Sequence, residues 1–93
     1  MKFYYNDVPG LGTVKVSRHA HERMGMEGIT NAMFEKALLE PVKADIPDGH
    51  GVVWRQRDGV RIVILLKPRP NKGKGAVLVK TVFRPRAQAV ART

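Results

Sequence analysis

Val52-Val53-Trp54-Arg55-Gln56-Arg57-Asp58-Gly59-Val60-Arg61-Ile62-Val63-Ile64-Leu65-Leu66-Lys67 is the stretch that decides the fold. Asp58-Gly59 is a strong two-residue hairpin signal, because a tight hairpin turn needs positive φ and this pair tolerates it. The stretch therefore predicts a strand over Val52–Arg57, a turn, and a strand over Val60–Lys67. Val63 and Leu65 make both faces of the second strand apolar, as a central strand requires. Upstream, Val42–Ile46 reads as another strand, closed by Pro47-Asp48-Gly49. Downstream, a basic loop over Pro68–Gly75 leads to a fourth strand, Ala76–Phe83.

Before Pro41 the period changes from two to 3.6. Met33, Phe34, Ala37 and Leu38 recur at helical spacing, Thr30 can cap the start, and Pro41 stops the helix, so residues 30–40 read as helical. Ser17 can cap an earlier helix over about 18–25, ending near Gly25 or Gly28. Phe3-Tyr4-Tyr5 and Thr13-Val14-Lys15-Val16 are short extended pieces on either side of a Pro9-Gly10 turn. Helices first and strands after predict an α+β fold: two helices packed on a four-stranded antiparallel sheet, with an extended N-terminal segment over residues 1–16. The 93 residues make one domain, with a core over 17–86 and a polar, Ala-rich tail over 87–93.

Charge is divided along the chain. Residues 51–93 hold eleven of the seventeen Lys and Arg against one acid, Asp58, whereas residues 1–50 hold six bases and seven acids. Closely spaced phosphates reward such clustering by releasing counterions, so nucleic acid is the expected partner. An acidic protein or an anionic surface would reward the same charge, and a solvated face with no partner is the bland alternative. Cysteine is absent, which excludes disulfides, thiol catalysis and Cys-ligated zinc. The three His and scattered acids show no metal-ligand spacing, so no metal or cofactor is expected. The N-terminus has no signal-peptide apolar region, and the longest apolar run, Ile62–Leu66, is too short to span a bilayer. A cytoplasmic protein without a membrane role is the simplest expectation.

The candidate chemistry lies in Ser17-Arg18-His19-Ala20-His21-Glu22-Arg23-Met24. His19 and Arg23 are four apart and share a helix face. An imidazole can move a proton near neutral pH, and a guanidinium can grip a phosphate. The bland alternative is a capping or packing His19 with Arg23 paired to acids on a solvated helix. His21 points elsewhere and reads as surface; His50, between two glycines, reads as an exposed bystander. Trp54 and Phe83 read as core residues, with base stacking the alternative, and one of Tyr4 and Tyr5 should be exposed.

The basic positions proposed to meet nucleic acid are Arg55, Arg57, Arg61, Lys67, Arg69, Lys72, Lys74, Lys80 and Arg86. Arg55, Arg57, Arg61, Lys80 and Arg84 are expected to form a stripe on one face of the sheet. The loop Lys67–Gly75 carries four bases in nine positions and is not a Walker-type phosphate loop.

In its order of elements the chain resembles small phage and bacterial proteins of the DUF4258 type. More broadly, it is similar to the barnase–EndoU–colicin–RelE-like superfamily of metal-independent ribonucleases. The resemblance rests on Ser17-x-His19-Ala20-x-x-Arg23-Met24, then Gly28-Ile29-Thr30, Pro41, and the closing Val79-Lys80-Thr81-Val82-Phe83. It implies RNA across the sheet, His19 as acid/base, Arg23 and Arg84 as phosphate clamps, Thr81 as an orienting hydroxyl, and an acidic antitoxin or inhibitor as partner. Glu27 departs from the pattern, standing where members often carry a base. That departure favours the rival expectation: a non-catalytic, phage-type protein that binds nucleic acid or covers an acidic host surface. A degenerate member kept as a structural or packaging component is the third.

Overall fold

A computed structural model describes residues 2–66 and 77–85. It contains β1 (Tyr4–Val8), β2 (Gly12–Val16), α1 (Arg18–Glu27), α2 (Asn31–Leu39), β3 (Lys43–Pro47), β4 (Val52–Arg57), β5 (Val60–Leu65) and β6 (Val77–Phe83). All six strands form one curled, half-barrel sheet in the order β1-β2-β6-β5-β4-β3. The expected four-stranded antiparallel sheet with an extended N-terminal segment is thereby overturned. The N-terminal pieces form a hairpin, and β2 joins β6 in parallel, pairing Val14, Lys15 and Val16 with Val77, Leu78 and Val79. The physical reason lies in the core. Val14, Val16 and Val79 are fully buried, and parallel pairing with β6 places the two β2 valines beside Val77 and Val79. A parallel pair needs a long crossover, and everything from α1 to β5 supplies it.

Both helices follow their local signals. The Ser17 hydroxyl accepts from the Ala20 N–H at 3.0 Å, and the Thr30 hydroxyl from the Met33 N–H at 3.1 Å. Gly28 ends α1 in the left-handed region at φ 70°, which suits a residue without Cβ. Helix α1 packs on β6 and α2 on β4 and β5. Their buried faces, Ala20 and Met24 with Phe34, Ala37 and Leu38, meet the inward set Val53, Val60, Ile62, Ile64, Val77, Val79 and Val82.

The inner face of the sheet also holds a buried cation. Arg55 is only 3% exposed. Its Nε donates to Asp45 Oδ1 at 2.9 Å, Nη1 to the Leu38 carbonyl at 2.6 Å, and Nη2 to the Pro9 carbonyl at 2.8 Å and Asp45 Oδ2 at 3.2 Å. One guanidinium thus ties the β1–β2 turn, the end of α2, β3 and β4 together.

A candidate nucleic-acid interface on the outer sheet face

The outward residues of the sheet fall into three cross-strand rows. Tyr4, Lys15, Leu78, Leu65 and Val52 form the first. Thr81, Val63, Trp54 and Ile46 form the second, and Phe83, Arg61, Gln56 and Lys43 the third. Trp54, Arg61, Val63, Leu65, Leu78, Thr81 and Phe83 are each partly exposed. They are half-open because both helices pack on the opposite face. Trp54 and Phe83, expected in the core, lie outside the buried cluster for the same reason.

Arg61 is the organising cation of this face. Its guanidinium carbon lies 3.8 Å from the centroid of the Trp54 ring, and its Nε donates to Gln56 Oε1 at 2.8 Å. The indole face attracts the cation, and the amide fixes its position. Lys15 lies 5.9 Å from the Tyr4 ring in the first row. The four contiguous strands β2, β6, β5 and β4 contain no Asp or Glu.

The expected five-residue stripe is divided. Arg61 faces outward. Arg55 is buried inward, as described. Arg57 donates from Nη1 to the Glu40 carbonyl at 2.6 Å and lies 3.5 Å from Asp58. Lys80 is exposed, at the register shift of β6. Arg84 donates from Nε to the Glu27 carbonyl at 3.0 Å and from Nη2 to the Gly28 carbonyl at 3.3 Å, so it satisfies the end of α1. Lys67, Arg69, Lys72, Lys74 and Arg86, with most of the Pro68–Gly75 loop, lie outside the described residues. Sequence reading missed Lys15, Lys43 and Gln56, although Lys15 alternates with Val14 and Val16 in the sequence.

Of the residues of the catalytic expectation, His19 and Arg23 lie on α1 and Arg84 against its end, whereas Thr81 lies on the outer face of the sheet. Strand β2 covers β6 only as far as Val79, and α1 then runs beside the remainder. The Ser17 N–H donates to the Val79 carbonyl at 3.2 Å and its hydroxyl to the Lys80 carbonyl at 3.1 Å. At the other end, Glu27 Oε1 accepts from the Arg84 N–H at 3.4 Å. Arg23 pairs with Glu27 Oε2 at 3.0 Å. Glu27 therefore unites Arg23 with the end of β6. His19 is exposed in the first turn, eight residues before Glu27, or about 12 Å along the axis. Thr81 sits on the outer face opposite Val63. His21 is half-buried, its ring 4.4 Å from Phe3 and both ring nitrogens without a hydrogen-bond partner. His50 is exposed in the β3–β4 turn.

Tyr4 is exposed, while Tyr5 is buried and donates its hydroxyl to Glu35 Oε2 at 2.9 Å. Burial, then the Glu35 hydrogen bond and charge, pushes the Tyr5 pKa well above the ordinary phenol value. Among the described residues no cluster of three potential metal ligands occurs, and no helix is long and apolar enough to cross a membrane.

Fold and surface together define a small basic domain with helices on one face of a curled mixed sheet and an open aromatic and cationic face on the other. No known family model, curated protein or solved structure matches the chain.

Proposed function

We propose that this chain is a basic nucleic-acid-binding domain that uses the outer face of its sheet. The carrying observation is that face: four adjacent strands without an acid, with Arg61 held over Trp54 and Lys15 flanking. Fixed cations on an open surface suit a phosphate chain, and the half-exposed rings suit its bases. Affinity for a short oligonucleotide should fall steeply with salt. With about six phosphate contacts it drops roughly a thousandfold between 50 and 200 mM salt. Affinity that stays flat over that range, measured by fluorescence anisotropy, rejects the proposal.

A second reading adds metal-independent RNA cleavage. It is favoured by exposed His19 on the same helix ridge as Arg23, along a helix that runs beside the strand carrying Thr81 and leading to Arg84. His19 would exchange the proton, and the guanidiniums would meet the phosphate once released from Glu27 and the α1 carbonyls. Purified protein should then degrade RNA in EDTA, and His19→Ala should slow this by about a hundredfold or more. RNA left intact from pH 5 to 9 leaves binding as the activity.

A further inference from the structure

The outer face is not a uniform basic patch. Its cations and rings occupy fixed register positions, and those positions discriminate between forms of nucleic acid. Trp54 lies in the second row on β4, and Phe83 in the third row on β6. Two strand spacings and one row separate them, or about 12 Å. The two rings are too far apart to share one base, so each offers a separate stacking position. Arg61, in the third row between their strands, covers one side of the Trp54 ring and is restrained by Gln56. A guanidinium so placed is itself a surface on which a base can stack while its charge meets the phosphate.

A duplex cannot use these positions, because its bases already stack on one another and present only edges in the grooves. An unpaired strand can. The surroundings match its chemistry. Val63 provides an apolar floor between the two strands that carry the rings, Leu65 and Leu78 extend it into the first row, and Lys15 and Lys43 lie toward opposite edges of the sheet. No acid in β2, β4, β5 or β6 repels a backbone crossing them.

Resting on the reading of this face as a nucleic-acid interface, we infer that its ligand is an unpaired nucleic-acid strand. Unpaired bases stack at the Trp54–Arg61 pair and at Phe83.

Trp54 is the only tryptophan of the chain, so its emission reports this position alone. The test titrates the full chain with a 12-nucleotide single-stranded RNA and with the same strand annealed to its complement, at fixed low salt. The single strand should bind at least tenfold more tightly than the duplex and quench Trp54 emission. Trp54→Leu keeps an apolar residue on the sheet and should weaken single-strand binding about tenfold without lowering Tm appreciably; Trp54→Phe should recover most of that loss. Phe83→Leu should weaken binding while preserving the quench. Equal affinity for both forms with unchanged emission overturns the stacking inference and leaves the nucleic-acid reading standing. Failure of both forms to bind at low salt overturns both.

Discussion

Arg55 and Arg61 belong to one hairpin and have opposite surroundings. Arg55 gives its donors to Asp45 and two backbone carbonyls in the interior, whereas Arg61 lies over an open ring. Arg55→Ala should therefore cost about 3 kcal/mol, the lower end of the range for breaking a buried pair, because Asp45 is itself open to water. Denaturant unfolding checks it. Arg61→Ala should cost about 0.5–1 kcal/mol of stability and act mainly on binding. Tyr5 supplies a pH test. Its folded pKa lies above the unfolded value near 10, so folding favours the protonated phenol. That contribution is complete below about pH 10 and is lost as pH rises through the folded value. Tyr5→Phe should cost about 1–2 kcal/mol at pH 7 and show a shallower loss of stability than the parent above pH 10.

At the scale of elements, α1 is tied at both of its ends to the second half of β6. Ser17 does this at one end while capping the helix, so Ser17→Ala removes two hydrogen bonds and should cost about 1–2 kcal/mol, measurable as a drop in Tm. The cap was legible because Ser17 precedes a helical pattern; its bond to Lys80, 63 residues away, was not. The same division runs through the fold. Asp58-Gly59 gave the β4–β5 hairpin, and Thr30 with Pro41 bounded α2, because these signals act over a few residues. The β2–β6 pairing carries no local signature, so a four-stranded sheet was the natural expectation. The stripe failed for a legible reason. A two-residue turn sets Arg61 opposite Gln56, which puts Arg61 and Arg55 on opposite faces. Trp54 is large and apolar, and that alone does not say which face the helices cover.

For the whole molecule, the position of charge matters more than its sum. The net charge of +9 would attract any polyanion weakly from any direction. The acids sit on the helices, in β1 and β3, and in turns, while the four central strands of the sheet have none. This arrangement predicts a directional response to equal changes in charge. Lys15→Glu and Lys36→Glu each lower net charge by two; Lys15 stands in the first row of the outer face, and Lys36 is exposed on α2, on the other side of the sheet. Lys15→Glu should weaken RNA binding about tenfold or more and flatten its salt dependence by roughly one counterion, because a phosphate contact is lost and a repulsive group takes its place. Lys36→Glu should change affinity less than threefold, since solvent screens charges beyond about 10 Å at 0.1 M salt. Anisotropy titrations of both variants from 50 to 200 mM salt compare the two. Equal losses would mean that net charge alone drives association and that the outer face has no privileged role.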